Sequence, residues 1–136
     1  MNLKYFLERF FLLLMEDYPI YYKAIARLSR NRKIRIIDDT ESIIFFFKDK
    51  RFFIVEDKIK EKLPLGIFRK KSLLKIIDGN SDVNDMIKIG DIDCIGKISE
   101  ILLFYRILEI IIFVSARSLS AYTLWKRYEG NINNNF

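Results

Sequence analysis

Five bulky apolar residues in unbroken succession, Ile43 to Phe47, constrain this chain more than any other feature. All are β-branched or aromatic, the types that suit a pleated surface, and in a strand successive side chains point to opposite faces. Ile43, Phe45 and Phe47 therefore leave one face while Ile44 and Phe46 leave the other, so apolar bulk lies on both. Such a strand belongs at the centre of a sheet or against a ligand. Lys48-Asp49-Lys50 follows, and Arg51 to Val55 is again aromatic and β-branched, which predicts a hairpin closed by a tight Lys-Asp-Lys turn.

Three more strands follow, two of them from alternation. Lys33 to Ile37 alternates polar and apolar up to the turn-prone Asp38-Asp39. The charged segment Asp57 to Lys62 reads as a solvated excursion, and Pro64 marks the entrance to a fourth strand, Leu65 to Phe68. Asp91 to Ile95 alternates as a short fifth strand with Ile92 and Cys94 on one face, ended by Gly96.

Helical spacing frames these strands. Leu3, Phe6, Leu7, Phe10, Leu13 and Leu14 form the stripe of a helix running to about Met15. Asp17 and Pro19 supply a start signal for a second helix, with Tyr21, Ala24, Ile25 and Leu28 on its buried face. Ser72 opens a short helix, Leu73 to Ile77, which Gly79 can end. Ser81 and Asp82 can cap another, with Val83, Met86 and Ile87, closed near Gly90. From Lys97 to about Ala116 the pattern is apolar around most of the circumference, with Glu100, Arg106, Glu109 and Arg117 as the polar positions. A helix of that kind is buried on more than one side. Ser115 to Ser120 weakens helix propensity and is expected to bend it before a terminal piece, Leu119 to Tyr128.

A length of 136 residues fits one domain, expected over 1–130 with a frayed Asn-rich tail at 131–136. Together these elements predict an α+β fold: a five-stranded, mostly antiparallel sheet with helices on one face, an N-terminal helix pair and a long C-terminal helix.

Several chemistries are excluded by what is missing. With no histidine, imidazole metal sites and triads with a histidine base are absent, and no glycine-rich phosphate loop occurs. Asp38, Asp39 and Glu41 cluster where a turn is expected, so turn chemistry accounts for them. Cys94, the one cysteine, is expected to point inward and behave as a small hydrophobe. A lone cysteine also precludes an internal disulfide framework and suits a reducing, cytoplasmic compartment. Glu8 and Arg9 interrupt the first apolar run where a signal peptide would be unbroken, and Arg106 and Glu109 interrupt the longest one, Ile101 to Val114. The reading is of a non-enzymatic protein without metal or cofactor.

Twelve Phe, seven Tyr and one Trp are a heavy aromatic load, explained either by rings lining a cavity or by a coding sequence biased toward Ile, Lys, Phe and Asn. The formal net charge is +6, with basic clusters at Arg27, Arg30, Arg32, Lys33 and Arg35 and at Arg69, Lys70 and Lys71. Each reads first as a solvated face. Nucleic-acid binding would require exposed rings among those cations, whereas the rings sit mainly in apolar strands, so contact at the inner face of a membrane is preferred as a partner.

Residues Lys33 to Leu108 resemble the sterol-carrier-protein lipid-binding domain, including its divergent bacterial relatives. The hairpin SIIFFFKDKRFFIVED is similar to the family's paired strands, LGIFRKKSLLKIIDGNSD to its strand leading into a helix, and DMIKIGDIDCIGKISEILLFYRIL to its small helix, short strand and long closing helix. Leu73, Leu74, Ile77, Gly79, Gly90, Ile92, Ile95 and Gly96 carry that pattern. The resemblance implies helices packed on one face of the sheet and an apolar tunnel between them for a fatty acid, acyl chain or sterol-like molecule. It carries over no catalytic residue and no residue-level lipid signature. Lys97 is basic where members often have an acid, and 115–136 has no counterpart.

Periodicity then places Phe45, Phe47, Phe53 and Val55 on the sheet wall of the expected cavity, with Met86, Ile87, Leu103, Ile107 and Ile111 closing it from the helices. The rival expectation is an interaction module that forms a homodimer or docks a partner through the apolar C-terminal helices.

Overall fold

The computed structural model describes residues 1–58 and 60–130, and the tail expected to fray lies outside the described residues. Its elements run α1 (Leu3–Asp17), α2 (Pro19–Leu28), β1 (Lys33–Ile37), β2 (Ser42–Lys48), β3 (Arg51–Glu56), β4 (Leu65–Phe68), α3 (Lys70–Ile77), α4 (Val83–Lys88), β5 (Ile92–Ile95), α5 (Ile98–Ser115) and α6 (Leu119–Glu129). The strands form one mixed sheet in the order β3-β2-β1-β4-β5, antiparallel at every pairing except β1 with β4. The α+β architecture therefore agrees with the expectation, and β2 sits inside the sheet as its two apolar faces require. Among the described residues no helix is long and apolar enough to cross a membrane.

The hairpin turn corrects the expected sheet wall. A three-residue Lys-Asp-Lys turn would set Phe45 opposite Phe53, whereas Lys48 pairs directly with Arg51 and only Asp49 and Lys50 form the turn. Both turn residues have positive φ, 53° and 65°, the conformation of a primed two-residue turn whose twist matches the strands it joins. Phe45 consequently faces Ile54, Phe47 faces Phe52, and Phe46 faces Phe53. Because side-chain direction has a period of two, that one-residue change sends Phe53 and Val55 to the opposite face. There Phe53 is stacked on Phe46, with ring centroids 5.3 Å apart.

Helix boundaries also differ where tertiary bonds override local signals. Asp17 is the last residue of α1, and α2 is preceded by Tyr18, with no side-chain capping bond. α3 begins at Lys70, before Ser72, because Asp39 from the β1–β2 turn accepts from the Lys70 amide at 3.1 Å. Ser72 is buried and donates instead to Asp91 at 2.6 Å. The long C-terminal pattern breaks rather than bends, since the Ser118 side chain accepts from the Ala121 amide and starts α6 as a separate helix.

Three acidic residues of the β1–β2 turn each hold a different helix. Glu41 accepts from the Lys4 amide at the start of α1, Asp39 from Lys70 at the start of α3, and the buried Asp38 from the Tyr128 hydroxyl on α6. Asp38 also closes its own turn by accepting from the Thr40 and Glu41 amides at 2.9 and 2.8 Å. On the outer face, Asp57 accepts from Arg35 and Ser42 at 2.8 and 2.6 Å, which fastens the β3–β4 connection to that face. Those bonds hold the Asp57 carboxyl below the ordinary carboxylate range.

The core lies on the other face, where Ile34, Ile43, Phe45, Ile54, Phe68 and Ile92 meet the helices. α1 carries rings on two sides: Phe11 meets Phe45 and Phe52 at 4.9 and 5.5 Å, while Phe6 meets Trp125 and Tyr128 at 4.5 and 4.1 Å. It is thereby held between the sheet and α6. Each such buried side chain contributes roughly 1.5–3 kcal/mol of burial free energy, so α1 belongs to the core.

Candidate functional site

The inner face of the sheet does not close fully on the helices. A cavity of about 60 Å³ lies between Ile34, Ile36, Phe45 and Phe68 of the sheet, Phe6, Leu7, Phe10 and Phe11 of α1, Leu73 of α3, Phe104, Ile107, Leu108 and Ile111 of α5, and Trp125 of α6. The indole N–H is the one polar group among these side chains. It donates to the Ser115 hydroxyl at 2.7 Å, which donates in turn to the Ile111 carbonyl at 2.6 Å. With its polar atom already satisfied, the lining offers hydrocarbon alone, and such a void stays dry.

Size sets what the cavity can hold as it stands. Pockets for drug-sized ligands measure about 300–1,000 Å³, several times more. Aromatic side chains make up half of the lining, and β4 admits one of them closely: a Cβ on Gly66 would lie 2.2 Å from the Phe104 ring. Hydrocarbon entering this space is held by burial, worth about 0.8 kcal/mol per CH₂.

The structure brings together three of the nine residues that periodicity placed at the cavity: Phe45, Ile107 and Ile111 line it. Phe47, Met86 and Leu103 are buried in the surrounding core without being part of the lining. Phe53 and Val55 are exposed on the outer face, as the hairpin register dictates, and Ile87 is exposed on α4, which reaches β5 through the buried Met86. Sequence reasoning missed the four lining residues of α1, as many as α5 supplies. The apolar stripe of α1 was legible, but a stripe identifies a buried face and leaves its partner open. Trp125 was likewise assigned to a terminal helix with no stated neighbour.

Among the described residues, those that line the cavity include no acid, base or nucleophile. Cys94 is buried on the inner face of β5, and its thiol is pushed up to about 11, chiefly by burial and then by the charges of Asp93 and Glu100. At pH 8 its thiolate fraction is therefore about a hundredfold below that of an unperturbed cysteine. Alkylation of the folded protein by iodoacetamide at pH 8, followed by mass spectrometry, is expected to run at least a hundredfold slower than in urea. A rate within fivefold of the unfolded chain would show the thiol to be accessible and ionised. Among the described residues no group of three or more acidic or cysteine side chains could hold a metal ion.

Compared with known proteins, the chain matches no family model, no curated protein and no solved structure at a significant level.

Proposed function

We propose that the protein is a non-catalytic binding module that takes up an apolar molecule, or the apolar part of a fatty acid, acyl chain or sterol-like ligand, between its sheet and helices. The observation that carries this reading is a wholly hydrocarbon-lined void at the centre of the fold, where α1, α3, α5, α6 and three strands converge. An unfilled void of this size costs about 1.5 kcal/mol, which a bound hydrocarbon recovers. The space admits only a few methylenes without rearrangement. Uptake of a longer chain displaces aromatic side chains, and α1, with Phe10 and Phe11 in the lining, is the element whose movement widens the gap.

Trp125 makes the reading testable, because the chain's single tryptophan lines the void. A dibrominated fatty acid entering the gap brings bromine against the indole, so saturable quenching at micromolar concentration is expected, and undecorated fatty acid should reverse it. Protein purified without detergent that is ligand-free by native mass spectrometry, and whose Trp125 emission ignores brominated chains, would overturn the proposal. The rival, a homodimer through the C-terminal helices, draws on exposed Ile98, Leu102 and Phe113 along α5. Arg106 and Glu109 are exposed along the same helix, so the stripe lacks the continuous apolar centre of an obligate interface.

A further inference from the structure

A second concavity lies at the hairpin end of the sheet and has the opposite chemistry. It is a groove of about 880 Å³ between the end of α1, α2 and the β2–β3 turn. Lys23, Arg27 and Arg30 approach it from α2 and the turn that follows, Lys48 and Lys50 from the hairpin, and Asp49 is the single acid in the lining. All five cations are exposed, and among the described residues none of them forms a salt bridge. Sequence alone joined Arg27 and Arg30 to a basic run; Lys23 joins them from one turn earlier on α2, and the fold adds Lys48 and Lys50 from the distant hairpin. Five like charges facing one concavity repel one another, and a polyanion relieves that repulsion.

Two features choose among phosphate-bearing partners. Nucleic acid would need ring faces on which bases stack, yet the groove's rings, Tyr22 and Phe47, are both buried, and the Tyr22 hydroxyl is occupied by the Lys50 carbonyl at 3.1 Å. Exposed aliphatic side chains instead accompany the cations. Met15 lines the groove and is 43 % exposed, and Ile20 is 79 % exposed, three and seven residues before Lys23 and Arg27 on the same stripe of α2. Cations beside aliphatic side chains on one surface match a bilayer interface, where phosphates lie above hydrocarbon.

We propose that this groove is the site at which the protein docks on anionic phospholipid bilayers, with Lys23, Arg27, Arg30, Lys48 and Lys50 engaging headgroup phosphates while Ile20 and Met15 enter the interface. The assignment is independent of whether the interior cavity takes a ligand. Its test is cosedimentation with phosphatidylcholine vesicles containing or lacking phosphatidylglycerol, at low and high salt. Binding is expected only to the anionic vesicles and to weaken with salt.

The triple variant Lys23→Gln/Arg27→Gln/Lys48→Gln should lose about a hundredfold in partitioning, since each cation near an anionic leaflet contributes about fivefold. Lys60→Gln/Lys62→Gln/Lys71→Gln removes the same charge from exposed positions outside the groove and should lose less than fivefold. Circular dichroism checks that both variants fold, and Ile20→Ser, which removes no charge, should still weaken binding severalfold. Equal losses from the two triples would reduce the effect to net charge and overturn the site. So would tighter binding of a single-stranded oligonucleotide than of vesicles, lost in the groove variant.

Discussion

Asp38→Ala is expected to lower the midpoint of thermal unfolding by about 10 °C. The carboxylate accepts from the Thr40 and Glu41 amides and the Tyr128 hydroxyl, and at 3.5 Å from the Thr40 hydroxyl. Thr40 is exposed, so water can replace part of the turn. Tyr128 is almost completely buried and its hydroxyl would be left with no acceptor. A hydrogen bond to a charged group is worth about 1.5–3 kcal/mol, and the two turn bonds add about 0.5–1 kcal/mol each. The sum of roughly 2.5–5 kcal/mol, at about 3 °C per kcal/mol for a chain of this length, centres on about 10 °C. A loss under 3 °C would mean that the bond from the β1–β2 turn to α6 contributes little.

The same bond gives stability an alkaline limit. Burial foremost, and then the Asp38 carboxylate, raises the Tyr128 phenol above its ordinary value of 10.0. Asp39 and Glu41 push in the same direction, while the Lys70 ammonium sits 4.7 Å from the ring centroid as the facing cation. The folded state thus holds a proton that the unfolded chain releases above about pH 10. The stabilisation is fully present below that pH and declines above it, by up to about 1.4 kcal/mol per pH unit. Tyr128→Phe should start about 5 °C lower at pH 8, then fall less steeply than the parent between pH 10 and 11. Tyr22, Tyr105 and Tyr122 are also raised but titrate in both proteins, so the difference isolates Tyr128.

These residues show what kind of information the sequence carries. Asp38, Asp39 and Glu41 were legible as turn formers, because side-chain bonds to amides two or three residues away are local chemistry. Their reach to Lys4, Lys70 and Tyr128 was not legible, since nothing local names a partner up to 90 positions away. The five strands and most helices followed from apolar period, yet the parity of the hairpin did not. Asp49 and Lys50 adopt positive φ without the glycine that usually announces a primed turn. That single ambiguity misplaced Phe53 and Val55, while Phe45 kept its place because its own strand was read in the right parity, and Ile107 and Ile111 share one i, i+4 stripe of α5 that meets the cavity. The basic groove shows the same division: the run from Arg27 to Arg35 stood out, whereas its meeting with Lys48 and Lys50 is tertiary.

Gly66→Ala tests whether the space beneath β4 is as tightly apportioned as the cavity requires. An added Cβ would meet three atoms of the Phe104 ring at 2.2, 2.7 and 2.9 Å, so the ring must move. Overpacking of this kind costs about 1–3 kcal/mol, and the ring has somewhere to go because it borders the 60 Å³ void. Phe104 should therefore swing into the cavity, leaving a folded protein about 2 kcal/mol less stable in urea titration. The filled void should then reduce quenching of Trp125 by brominated chains more than tenfold. Phe104→Leu relieves the collision, so the double variant is expected to be at least 1 kcal/mol more stable than the sum of the single losses predicts. Losses that add within about 0.5 kcal/mol would mean the two positions are independent. Because the cycle reads the contact and Trp125 quenching reads the void, stability and ligand uptake can be assigned separately to the same few ångströms between β4 and α5.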